Sequence, residues 1–303
     1  MKSRVLLLLI MSLAVILAGP VTGIKTISAQ GSLPEEHQAW RSETNQGSHQ
    51  GKYATNHVIF NSTALKFYTS GKWAKYVRPQ DSFMLVDGNG TRKMDTKKLN
   101  GWAKQVKSRH PKITIYAAAS GIKNVRRSGG LDRKLFTGMI MVYEPNFQNA
   151  PEFKWDRKYT EKIWREAAKT IRSKGLKAGG KPSGRALAGR DKYGVWDYGA
   201  LGKIMDVNNI QSQGSCIKND FQKAMDRLVS QYQKAGAKSE LLVQVSVGRN
   251  STNSLPSAKA FNCAKMAWSK SRIDAVTLWP QTTGKGSNEV VNYLKKRESL
   301  LGK

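Results

Sequence analysis

The sequence predicts a (β/α)8 barrel, the TIM barrel, on three observations. Eight short apolar runs suited to strands recur from residue 57 to residue 279. Helix-like stretches alternate with them, which implies a parallel sheet with helices outside it. The 303 residues leave room for one barrel of the usual ~250 residues and an N-terminal extension.

The elements follow in order. Lys2 and Arg4 precede an apolar run at 5–18, with small residues at Gly23, Ser28 and Ala29. This reads as a secretory signal peptide over 1–29. The run is shorter than the ~20 residues of a spanning helix, so an uncleaved N-terminal anchor is the alternative. Residues 30–56 are polar and aperiodic, and read as an extension ahead of a barrel at 57–303.

Strand-like runs fall at 57–61, 82–87, 113–119, 138–144, 176–181, 206–213, 241–247 and 275–279. Most are short and continuously apolar, as strands buried on both faces should be. The clearest helix is 159–173, where Tyr159, Ile163, Ala167 and Ile171 recur every fourth residue. Phe221, Met225, Leu228 and Tyr232 stripe 219–235, with Gly236 as the stop. A helix at 256–270 opens on Pro256, and 288–301 closes the chain. The weakest helix follows the third strand, because 126–130 is basic and glycine-rich.

Lys plus Arg number 51 against 21 Asp plus Glu, a formal charge of +30. Removal of the leader takes away Lys2, Arg4 and Lys25 and no acid. Such a balance attracts polyanions, including acidic glycans, envelope polymers, anionic lipid and nucleic acid. The basic residues are spread over most helices, so a general surface adaptation is an equal reading. No specific nucleic-acid motif occurs, and no second hydrophobic span follows the leader. Neither G-x-G-x-x-G after the first strand nor G-x-x-x-x-G-K-[ST] is found, so no nucleotide cofactor is expected. The histidines (His37, His49, His57, His110) and two cysteines lack ligand spacing, so no metal is expected. Cys216 follows the sixth strand and Cys263 lies in the seventh helix, neighbours in a barrel. Export would let them pair. Two buried thiols are the alternative.

In such barrels the chemistry sits at the C-terminal ends of the strands. Those ends carry Asn61, Asp87, Ser120, Tyr143 with Glu144, Lys181, Gln211 with Gln213, Gln244 with Ser246, and Trp279 with Gln281. The set is polar and amide-rich, with one strong aromatic. Amides bridge sugar hydroxyls, an indole stacks on a pyranose face, and a carboxylate raised by burial can protonate a glycosidic oxygen. Glu144 is the candidate general acid and Asp87 the candidate second carboxylate. Tyr143, Gln211, Gln213, Gln244, Trp279 and Gln281 are candidate substrate contacts. Asp87 also lies in Asp-Gly-Asn-Gly, turn chemistry in its own right. Lys181 is a lesser candidate, as a Schiff-base amine. Sequons occur at Asn61, Asn89 and Asn250.

The pattern resembles the glycoside hydrolase barrels, in particular the family 18 chitinase-like group. There a glutamate ends strand four as general acid and a tryptophan ends strand eight as the sugar-subsite floor, the places of Glu144 and Trp279. The stretches 205–213 and 241–249 are similar to that group's strands six and seven. The resemblance implies an exported glycosidase acting on extracellular or envelope polysaccharide. The departures are specific. Gly138, Ile140 and Val142 stand where that group spaces aspartates before the glutamate. Gln211 and Gln213 stand where tyrosine and aspartate are usual. Glu144-Pro145-Asn146 is also similar to retaining glycosidases whose strand four ends Asn-Glu-Pro. Tyr143 replaces that asparagine, and strand seven offers Gln244 with no glutamate nucleophile. Three readings stay open: Asp87 as an inverting base, a substrate acetamido nucleophile oriented by Gln211 or Gln213, or a barrel that binds glycans or polyanions and cleaves nothing.

Overall fold

The computed structural model describes residues 51–87, 93–144, 152–248 and 254–302. Eight parallel strands close into a barrel in chain order. They are β1 (Thr55–Ile59), β2 (Ser82–Val86), β3 (Thr114–Ser120), β4 (Gly138–Tyr143), β5 (Lys177–Pro182), β6 (Val207–Gln211), β7 (Glu240–Val247) and β8 (Ala275–Pro280). The register closes the ring through Thr55↔Val276 and His57↔Leu278. The helices are α1 (Ser62–Thr69), α2 (Thr96–Arg109), α3 (Gly121–Arg126), α4 (Arg157–Arg172), α5 (Tyr198–Ile204), α6 (Gln213–Ile217), α7 (Phe221–Ala235), α8 (Ser257–Trp268) and α9 (Gly284–Leu301). The predicted barrel is therefore the barrel found, with β1 starting two residues earlier than its apolar run indicates. The signal-peptide region, the extension up to residue 50, and the sequons at Asn89 and Asn250 lie outside the described residues.

Local chemistry explains the helix starts. Asn61, Asp95, Asp156 and Asp197 each accept a hydrogen bond from a backbone N–H in the first turn of the helix that follows. Gly236 ends α7 in the left-handed region, φ 61°. The weak third helix is real but short, six residues followed by a 3-10 turn.

Strand parity sorts the core into two layers. Val58, Met84, Tyr116, Ala118, Ile140, Val207, Leu242 and Ala275 fill the barrel interior. Their strand neighbours, such as Ile59, Leu85, Ala117, Met141, Ile210, Val243 and Leu278, pack outward against the helices. Glycine lets β5 pack closely on both faces. A Cβ at Gly180 would lie 2.4 Å from Trp164 of α4, and one at Gly179 2.6 Å from Ile140 inside the barrel. The strand thus lets helix and interior approach together.

The N-terminal mouth is held by charge. Lys177 and Glu240, both inward, pair at 3.4 Å. Beside it, a fully buried cluster joins α9 to β1 and β2. Arg297 donates to both oxygens of Asp81 and, through Nε, to the Tyr53 carbonyl at 2.9 Å. Asp81 also accepts from the backbone N–H groups of Thr55 and Arg78, both at 2.9 Å. His57 Nε2 lies 3.1 Å from Asp81, and His57 Nδ1 3.3 Å from the Tyr68 hydroxyl.

Cys216 and Cys263 form the expected disulfide, tying α6 to α8. It closes a span of 47 residues. Replacing both cysteines with serine is expected to cost about 4 kcal/mol by the chain-entropy account, read by urea denaturation. No change in midpoint would show that the span is already constrained without the bond.

Candidate functional site

Parity decides which strand-end residues face the barrel axis. On β4, Ile140 is inside the barrel while Met139, Met141 and Tyr143 pack outward. Glu144 therefore continues the inward row and Tyr143 the outward one. Tyr143 is fully buried, 5.1 Å from the ring of Phe153 and 5.9 Å from that of Trp164. Burial pushes its phenol above the ordinary tyrosine range. It packs among these rings on the outward side of β4, away from the inward row expected to meet substrate.

Asp87 is placed outward by the same parity. Phe83 and Leu85 of β2 point to the helices, and Asp87 follows them. Its carboxylate accepts from the Asp95 backbone N–H and pairs with Lys98 of α2 at 3.1 Å. It fastens the β2–α2 loop to the helix layer and does not face Glu144's row.

Six strands bring the inward set together. Glu144 accepts a hydrogen bond from Gln211 Nε2, and Gln211 Oε1 accepts from Gln213 Nε2 at 3.3 Å. Lys181 Nζ lies 4.0 Å from Glu144 Oε1 and 5.4 Å from the centre of the Trp279 ring. Trp279 stacks on Phe60 with ring centres 5.4 Å apart and planes 8° from parallel. Gln244 pairs in register with Gln211, and Ser246 with Trp279. Gln244 is buried and its Oε1 has no partner. The Glu144 side chain is 20% exposed and that of Lys181 5%. Burial pushes Lys181 below the ordinary lysine range, and the charge of Glu144 only partly opposes this. Gln281 sits at the edge, wedged where a Cβ on Gly248 or Gly286 would strike it.

Phe60 was not singled out by sequence, although alternation from Val58 places it inward. Glu152 gave no signal in the sequence either. It clasps the start of α3, accepting from the Ile122 N–H at 2.7 Å, and its Oε2 is buried without a partner. Gly121, at φ 68°, makes room for it, since a Cβ there would lie 2.3 Å from Glu152 Oε1.

Asn61 is committed to structure. Its Oδ1 accepts from the Ala64 N–H at 2.8 Å and its Nδ2 donates to Thr282 at 3.2 Å. Asn61→Ala is expected to cost about 1 kcal/mol. An unchanged melting temperature would contradict the cap.

No family model matches the chain, and no curated protein matches it. Solved structures do. The chitinase of Chromobacterium violaceum superposes with a TM-score of 0.55 at 10% identity, covering 82% of this chain and 99% of that one. Catalytic-site mutants of active domain 2 of the Pyrococcus furiosus chitinase give 0.52 at 10% identity, over 84% and 97%. A GH18 chitinase from the chitin utilization locus of Flavobacterium johnsoniae gives 0.51 at 10% identity, over 82% and 94%. At such identities the likeness shows the fold alone. That fold is the eight-stranded parallel TIM barrel.

Proposed function

We propose that this protein is an exported barrel that binds a saccharide chain at its C-terminal rim. Glu144 and Gln211 take the hydroxyls, Trp279 on Phe60 forms the stacking floor, and Gln213, Gln244 and Ser246 line the approach. The observation that carries this reading is that, among the described residues, Glu144 is the one acid on the inward strand rows at the C-terminal rim. Among the described residues, Glu144 and Glu240 are the acids on inward strand rows, and Glu240 lies at the opposite mouth with Lys177. The segments 88–92, 145–151 and 249–253, outside the described residues, contain no Asp or Glu. Hydrolysis by either usual stereochemistry needs two carboxylates flanking one bond. Glu144 is moreover engaged by the Gln211 amide and lies 4.0 Å from Lys181.

A second reading keeps hydrolysis, with the substrate's acetamido group as nucleophile and Glu144 as acid. It is favoured by the placement of Glu144 at the end of β4 with Gln211 and Gln213 beside it, able to orient such a group. Export is supported by the leader composition and by the disulfide. No helix of the described residues is long and apolar enough to cross a membrane. The reading places the protein outside the cell or at its envelope.

The test is retention and product release on N-acetylated and envelope polysaccharides, comparing the parent with Glu144→Gln. Retention by the parent without soluble product, weakened in the variant, is the expected result. Product release that vanishes in Glu144→Gln would replace it with the acetamido mechanism.

A further inference from the structure

The described surface exposes three large hydrophobic side chains, Trp155, Tyr193 and Met266, and the first two touch each other. Trp155 is 42% and Tyr193 53% exposed, with ring centres 5.5 Å apart. They stand on the loops that leave β4 and β5, the strands that lead to Glu144 and supply Lys181. The pair is not loose. Phe153 meets Trp155 edge-on at 5.2 Å and stacks on the buried Trp196 at 5.7 Å. The backbone of Trp196 is fixed in turn by Asp191, which accepts from its N–H at 2.8 Å and from that of Val195 at 3.0 Å.

Two cations lie over the two rings. Arg185 lies over the Trp155 ring at 5.4 Å, and Lys192 over the Tyr193 ring at 4.5 Å. Both are exposed and make no ion pair among the described residues. The acids nearby in sequence are held elsewhere. Asp156 and Asp197 cap α4 and α5, Asp197 also pairs with Arg157, and Asp191 holds the loop backbone.

We propose that Trp155 and Tyr193, with Arg185 and Lys192, form a second binding platform for an anionic polysaccharide, outside the rim pocket. The ring faces take the apolar faces of successive pyranoses, and the two cations take their carboxylates or sulfates. Anchored rings lose little freedom on binding. The platform's position on the rim loops lets one polymer span it and the pocket; this choice of a saccharide over another polyanion rests on the pocket reading above.

The test measures affinity for polygalacturonate and for its fully methyl-esterified, neutral counterpart. It compares the parent with Trp155→Ala/Tyr193→Ala, with Arg185→Gln/Lys192→Gln and with Glu144→Gln. The Arg/Lys variant alters two exposed side chains and keeps the test valid if the aromatic variant folds poorly. Either platform variant is expected to bind polygalacturonate at least about tenfold more weakly. The Arg/Lys variant should lose part of the salt dependence and bind the neutral ester like the parent. That pattern upholds the platform even if Glu144→Gln changes nothing, in which case the pocket reading alone fails. Parent-like binding of polygalacturonate by a folded platform variant overturns the proposal. So does tighter binding of a single-stranded thymidine oligonucleotide, or of phosphatidylglycerol vesicles, with the same dependence on Trp155 and Tyr193.

Discussion

Replacing Arg297 with methionine is expected to destabilise the barrel by about 3–5 kcal/mol, because it strands the buried charge of Asp81. Both side chains are fully buried and joined by two hydrogen bonds. Removing the second charge as well, in Asp81→Asn/Arg297→Met, should recover part of the loss, since the penalty lies in the unpaired ion. Urea denaturation of the parent and both variants checks this. Equal stability of Arg297→Met and the parent would show that Asp81 finds another partner.

The same cluster sets the acid limit. Burial pushes His57 below its ordinary value, although Asp81 pulls the other way. A base lowered on folding binds fewer protons in the folded state. Its contribution is complete above the unfolded value of ~6.5 and is lost as pH falls below it. Burial would raise the Asp81 carboxyl, but Arg297 and His57 outweigh it and hold it below the usual carboxylate range. That contribution is present above the unfolded value of ~4 and is lost as pH falls through the lower folded one. Stability should thus decline in two stages toward acid. In Arg297→Met the burial of Asp81 goes unopposed by its main counter-charge and His57 loses a cation that lowers it, so both acid-linked losses shrink and stability should fall less steeply toward acid than in the parent. An acid slope as steep as the parent's would contradict the assignment.

Loss of the stacking floor is the second large effect expected. Trp279→Ala should weaken saccharide retention at least about tenfold, roughly 1.4 kcal/mol. It removes the ring that lies against both Phe60 and Lys181. Phe60→Leu should act in the same direction by untethering the indole. Isothermal titration with an oligosaccharide retained by the parent measures both. Parent-like affinity in Trp279→Ala would make the indole ordinary barrel packing.

Much of the fold was legible because alternation and run length are local. The eight strands, the cap at Gly236 and the disulfide between adjacent units needed only chain order and spacing. The placement of the strand-end residues was legible in part. Glu144, Gln211 and Trp279 converge as the strand ends imply, since in a closed barrel the inward residues there face one axis. Tyr143 and Asp87 fall off that row. These strands are buried on both faces, so apolarity does not reveal which residues point in. Only the parity of the interior layer, fixed by Ile140 and Met84, separates Glu144 from Tyr143 and turns Asp87 outward. The sixth run also ended early. Ser212 takes the chain out of the strand and Gln213 begins α6, although its amide still reaches Gln211. The Asp81–Arg297 cluster was not legible at all, because its partners lie 216 residues apart.

The central claim is that the rim binds through the inward row, and one comparison tests it most directly. Oligosaccharide affinity would be measured for Glu144→Gln and Asp87→Asn side by side with the parent. The account predicts a loss of about 10–100-fold for Glu144→Gln, as for a hydrogen bond to a charged group, and parent affinity for Asp87→Asn. Equal losses in both variants, or none in Glu144→Gln, would contradict it.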